Sequence, residues 1–245
     1  GVRGWIVVIL ALLSCFFQSS LINDSLNVTI PAFAGKFGLE NPGILYLFVT
    51  IAAWIAVAGS ILWGFFAAKK SAKLVWCIAL GLAAVTCFIW GQIQSIPLFF
   101  LMLALASIAG QGFNYIGNYN VISNWFPRKK GIAMGWVTIG FPLSAVTAVP
   151  IVSGLIGKGG LPMVYTFYGI LAVVLLVLVV LLVKNYPEEA GRFPDNDKSF
   201  TKEKADAELA AGLEYMRTSP WTPSKLLKTK QVWLIGIFFS VMGML

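Results

Sequence analysis

The chain has 245 residues, 58% hydrophobic and 11% charged, with a mean hydropathy of +0.83 and a formal net charge of +8. A soluble globular domain carries about 25% charged residues. Half that share, with apolar runs about 20 residues long, excludes an ordinary soluble domain and points to a multi-span membrane protein. The runs have the length of helices rather than of alternating ten-residue strands, which argues against a β-barrel. The basic residues fall between the apolar runs, so the positive charge reads as membrane topology rather than as a nucleic-acid surface. Cys15, Cys77 and Cys87 all lie inside apolar runs and imply no disulfide framework. There is no histidine, the side chain most used for proton transfer near neutral pH.

The predicted first span covers residues 5–30. It is apolar from Trp5 to Ile22 and then polar through Asn23, Asp24, Ser25, Asn27 and Thr29 to Pro31. Either a long tilted helix carries Asp24 in its outer third, or the helix ends near Ile22 and Asp24 is in water. Span 2, 44–68, carries Ala52, Ala56, Ser60 and Gly64 four apart, small residues that let helices approach closely in lipid. Span 3 is expected at 74–91, span 4 at 98–121, span 5 at 132–156 and span 6 at 163–183, with Gly157, Gly159, Gly160 and Pro162 breaking the chain between the last two. Residues 1–183 therefore read as an amino-terminal six-span bundle. Residues 184–230 are a polar loop holding eight of the ten acids. Within it 199–216 is expected to be an amphipathic helix with Ala205, Leu209, Leu213 and Met216 on one stripe. Residues 231–245 start a seventh span, and at about 1.5 Å per residue that run falls short of the hydrocarbon core. A longer protein with a carboxy-terminal bundle is expected.

Arg3, the loops after spans 2 and 4 and the long loop hold 16 of the 18 Lys and Arg; Lys36 and Lys158 fall on the other side. The positive-inside rule then places the amino terminus and the long loop in the cytoplasm of a multi-pass plasma or inner membrane protein. The first span of each triplet turns polar, at Asn23–Asn27 and at Gln111–Asn120, and the triplets start on opposite sides. The expected fold is thus an all-α membrane bundle of two inverted three-helix repeats, with binding residues where the repeats meet.

Asn124-Trp125-Phe126-Pro127-Arg128-Lys129-Lys130-Gly131-Ile132-Ala133-Met134-Gly135 is similar to the span 4–5 loop of the oxalate/formate antiporter and monocarboxylate transporter branch of the major facilitator superfamily. Asp24 to Pro31, with Asn27 and Ile30, resembles the end of span 1 in several of its branches. One motif departs. Where the superfamily has an Asp four residues after a Gly between spans 2 and 3, Gly64 is followed by Ala68, although Lys69, Lys70 and Lys73 keep the positive charge. In the family that Asp helps latch the cytoplasmic side. The resemblance implies a secondary transporter working by alternating access, a small organic anion as substrate, and a countercharge from the second half, since spans 1 to 6 hold no basic residue.

Gln111, Asn114, Tyr115 and Asn118 stand at i, i+3, i+4 and i+7 and share one face of an α-helix. Such polarity faces a cavity and substrate or bonds helix to helix. Asn23, Asn27, Trp54, Thr138 and Phe141 complete the expected substrate-binding set. Asp24, the one acid within reach of the membrane interior, is the candidate for proton coupling, against the alternative of an exposed loop acid. Gly110, Gly112 and Gly117, the GxxxG pair Gly131 and Gly135, and Gly140 with Pro142 read as packing and gating positions. Arg128, Lys129 and Lys130 report topology or hold lipid headgroups.

The expected partners are a small-molecule substrate, a proton or counter-anion, membrane lipid and the protein's own second half, with no nucleic acid, cofactor or metal. A proton-coupled drug or sugar carrier is the alternative within the superfamily, and a channel the alternative outside it. An enzyme lacks its chemistry here: there is no histidine, no intramembrane acid pair and no cysteine cluster.

Overall fold

In a bilayer every backbone N–H and C=O must find a partner inside the protein, so an apolar chain of this kind folds as helices. The computed structural model describes residues 2–197, 202–220 and 222–242 and falls into two units, Gly1–Lys198 and Ser199–Leu245. In the first unit α1 (Val2–Ser19) passes through a π-helical segment, Ser20–Asp24, into α2 (Leu26–Lys36). The chain therefore stays helical through Asp24 rather than leaving the helix at Ile22. Then come α3 (Gly43–Lys69) and α4 (Ala72–Trp90), the latter capped by Ser71, whose Oγ accepts from the Leu74 N–H at 3.1 Å. Next, α5 (Ile96–Gly110) runs through a second π segment, Gln111–Asn118, into α6 (Tyr119–Trp125), four residues beyond the expected end of span 4.

Five helical paths are long and apolar enough to cross a membrane. The last, α7 (Lys130–Thr138) with α8 (Gly140–Leu182), is too long for one crossing at about 1.5 Å per residue. Gly160, at φ 66 and ψ −163, breaks it in a conformation that glycine adopts without steric cost. Contacts at its two ends establish the reversal. The Lys129 N–H bonds to Asp195 and the Trp125 indole N–H to the Lys184 carbonyl, so both ends of the path return to the same end of the bundle. Among the described residues this leaves six helical segments running between the two ends of the bundle, called crossing segments here. Arg3, Lys73, Arg128 and Lys129 gather at one end, called here the basic end.

The crossing segments pack as expected in lipid, where dispersion and close approach replace the hydrophobic drive. Buried aromatic rings fill the middle. Phe17 stacks on Phe113 at 5.4 Å, and Trp90 lies against Tyr165 at 4.7 Å. Trp90 is fully buried. The chain is an all-α membrane bundle. In the second unit α9 (Lys202–Thr218), α10 (Pro223–Lys228) and α11 (Lys230–Met242) follow. Of the stripe expected on α9, Leu209 is half-buried and Leu213 exposed; Ser199 and the side chains of Ala205 and Met216 lie outside the described residues.

Candidate functional site

Each of the two polar stretches singled out by sequence is the place where an α-helix turns π-helical. A π turn bonds i to i+5 and leaves a helix locally wider, a feature frequent at functional sites. In the first, the Ser25 N–H reaches back to the Ser20 carbonyl at 3.1 Å. The Tyr168 hydroxyl from α8 donates to that carbonyl at 3.3 Å and sits 2.7 Å from Ser20 Oγ. At the start of the second, the Ile108 carbonyl accepts the Trp63 indole N–H from α3 at 2.9 Å. A neighbouring aromatic side chain thus bonds a backbone carbonyl at both.

Asp24 closes the first π turn and is half-buried. Its Oδ2 accepts from Ser19 Oγ at 2.9 Å and from Ser144 Oγ at 2.5 Å. The carboxylate therefore ties the first crossing segment to the fifth. Ser144 is fully buried, and its partnership with Asp24 spans 120 residues of sequence. Asn23 and Asn27 flank Asp24 and are exposed; the Asn27 amide donates to the Asp24 carbonyl at 3.3 Å.

The face expected of Gln111, Asn114, Tyr115 and Asn118 divides. Because the segment is π-helical, the i, i+3, i+4, i+7 spacing no longer stacks on one stripe. Asn114 and Asn118 are fully buried. Asn118 Nδ2 donates to Asn114 Oδ1 at 3.0 Å and to the Ala11 carbonyl of α1 at 3.3 Å. These two bond helix to helix. Gln111 is half-buried and Tyr115 is 37% exposed, its ring meeting Tyr119 edge-on at 6.0 Å. Asn120, just beyond, is exposed.

The first, fourth and fifth crossing segments meet here. A side chain at Gly110 would lie 2.8 Å from Ile22 Cδ1, one at Gly112 2.7 Å from Trp63 Cε2 and one at Gly117 2.7 Å from Trp76 Cβ. At Gly140 a Cβ would lie 2.5 Å from the Leu12 carbonyl oxygen and 2.7 Å from the Phe16 nitrogen. All four are close-packing positions. Gly131 and Gly135 are not: among the described residues nothing lies within 4 Å of a Cβ there. Pro142 has no N–H to offer the Thr138 carbonyl, and the helix is interrupted at Ile139, between α7 and α8. Thr138 is exposed, with its hydroxyl on the Gly135 carbonyl at 2.9 Å, and Phe141 is half-buried against the core. Trp54 stands apart from this constellation. It is 75% exposed among Ile51, Ile55, Val57 and Ile61 on an apolar face of α3.

The sequence profile of the Major Facilitator Superfamily matches residues 8–245. The chain belongs to the major facilitator superfamily. A curated relative, an oxalate:formate antiporter of Oxalobacter formigenes, is 22% identical over 254 residues, covering 98% of this chain and 52% of the relative. The chain spans about half the length of that relative. Ser19 and Tyr168, which bond at the first π turn, were not singled out in the sequence, nor was the bond from Ser144 to Asp24. Serines on apolar helices carry little signal when their partners lie far along the chain. The π turns were equally invisible, although the polarity that marks them was not.

Proposed function

We propose that this chain is the amino-terminal half of a secondary transporter that moves a small, carboxylate-type organic anion by alternating access between two bundles. One observation carries the reading. On spans that are otherwise apolar, Asn23, Asn27, Tyr115, Asn120 and Thr138 are exposed and Gln111 is half-exposed. Polar side chains at membrane depth face a water-filled cavity or a protein partner rather than lipid. All six belong to the first, fourth and fifth crossing segments, which meet at the two π turns. Superfamily membership supports transport as the activity, and the oxalate:formate antiporter supports an anionic substrate. The pairing of a π turn with the first span of each triplet supports the inverted repeat. The gathering of Lys and Arg at one end supports a cytoplasmic amino terminus in a plasma or inner membrane.

The crossing segments described here carry no Lys or Arg in their interior, so an anion's countercharge comes from the other half. This half shapes the cavity and holds Asp24, the site proposed for proton coupling. The test is reconstitution of the full-length protein in liposomes preloaded with a panel of mono- and dicarboxylates. Saturable counterflow of a labelled carboxylate is expected. Counterflow only with sugars or cationic amphiphiles would shift the reading to the proton-coupled carrier, and ohmic single-channel currents would sink transport altogether.

A further inference from the structure

The first turn of a helix has N–H groups without intrahelical partners, and α7 begins with residues poorly suited to supply any. Lys129 stands at its N-cap with no side-chain cap, and a lysine side chain has no acceptor to give. The acceptor comes instead from 66 residues downstream. Asp195 Oδ1 takes the Lys129 N–H at 2.8 Å, and both carboxylate oxygens lie 3.2 Å from the Arg128 nitrogen. Asp195 is only 5% exposed, although it lies in a polar loop. Its backbone is left-handed, at φ 58, a conformation that costs any residue with a side chain and that Asp tolerates better than most. A buried charge on a strained backbone persists where the surrounding contacts hold it. The negative group also sits at the positive end of the helix dipole.

The residues before Asp195 are fastened in the same way. The Lys184 carbonyl accepts from the Trp125 indole at 2.9 Å and the Asn185 carbonyl from Asn124 Nδ2 at 3.2 Å. Asn185 Oδ1 accepts from the Lys73 N–H at 3.2 Å, and the Ala190 carbonyl from Arg3 at 3.5 Å. Beside these, burial and the charge of Glu189 push the Tyr186 phenol up from its ordinary value. The segment after α8 therefore crosses the feet of three other crossing segments, those of α1, α4 and α6, before it ends at the start of α7.

We propose that residues 184–197 form a strap across the basic end of the bundle and that Asp195 is its latch. The carboxylate caps α7 from a distance, so the chain leaves the bundle at the foot of α7 rather than at the end of α8. Nine-residue α7 then lies between the latch at Asp195 and the interruption at Ile139, held at one end and hinged at the other. Releasing the latch frays the first turn of α7 and frees the strap, while α1 to α6 keep their packing.

The test uses the full-length protein in lipid nanodiscs, with hydrogen exchange read over residues 126–133 and tryptic cleavage after exposed Arg192. Asp195→Ala is expected to speed exchange there and cleavage by about tenfold, the fold-change of a helix cap worth roughly 1.4 kcal/mol. Asp195→Asn keeps an acceptor without the charge and is expected between the two. If the alanine variant does not fold, the asparagine variant alone is expected to show at least about a threefold change. Exchange within twofold of the parent in whichever variant folds overturns the latch. So does acceleration spread evenly over α4 and α8, which would mark general loosening. Neither readout depends on what the protein carries.

Discussion

Asp24 is a carboxylate held by hydroxyls from two crossing segments, and its chemistry at the residue scale follows from that. Hydrogen bonds to an ionised carboxylate are shorter and stronger than neutral ones. Through the bonds from Ser19 and Ser144, this carboxylate holds the first crossing segment against the fifth. Under the proposed coupling, Asp24→Asn is expected to flatten the pH dependence of carboxylate uptake while leaving counterflow of preloaded substrate in place. An unchanged pH profile would remove Asp24 from coupling. Ser144→Ala keeps the acid and removes one bond. At about 1.5–3 kcal/mol for a hydrogen bond to a charged group, it is expected to lower the melting temperature of the detergent-solubilised protein by several degrees. The acid was legible in the sequence because a single charge stands out in an apolar run. Its partner was not, because contact across 120 residues is set by tertiary packing rather than by local pattern.

Individual helices show how periodicity both succeeds and fails. Long apolar runs without strand alternation made the all-α membrane class readable, and the small residues of the fourth segment pointed to close approach. Yet the α-helical spacing assumed for Gln111 to Asn118 placed four side chains on one face, and the π bonding there divides them. Trp63 and Trp76 of other helices pack against that segment, and no local window contains them. Glycines of one sequence type likewise separate into two kinds. Gly140→Ala puts a methyl into the α1 backbone, with the Leu12 oxygen and Phe16 nitrogen nearest, neither of which can swing away as a flexible side chain would. Overpacking of this sort costs about 1–3 kcal/mol, and a clear fall in melting temperature is expected. Gly135→Ala meets nothing within 4 Å among the described residues. With the helix-propensity gain of alanine, about 1 kcal/mol at most, it is expected to leave the melting temperature unchanged or slightly raised. A loss as large as that of Gly140→Ala would show that the GxxxG pair packs against another part of the full protein.

On the scale of the molecule, the exposed surface of the bundle is of two chemical kinds. One is apolar, as on α3 around Trp54; the other carries Asn27, Tyr115 and Thr138. Composition and charge pattern made the membrane class legible, but not which surface faces lipid, because that depends on how side chains from separate helices assemble. Cysteine scanning distinguishes the two surfaces in the membrane. Cys15, Cys77 and Cys87 are first replaced, since Cys77 is partly exposed. Single cysteines at Asn27, Tyr115, Thr138, Trp54 and Asn118 are then treated with a charged, membrane-impermeant maleimide in proteoliposomes. Thiolate is the reactive form and ionises in water rather than in hydrocarbon. Cysteines at Asn27, Tyr115 and Thr138 are therefore expected to label, and a transported carboxylate to slow that labelling. Those at Trp54 and Asn118 are expected to stay unlabelled for opposite reasons, the first facing hydrocarbon and the second enclosed by packed helices. Labelling at Trp54 to the same extent as at Tyr115 would place α3 on the aqueous path and move the proposed cavity to a different face of the bundle.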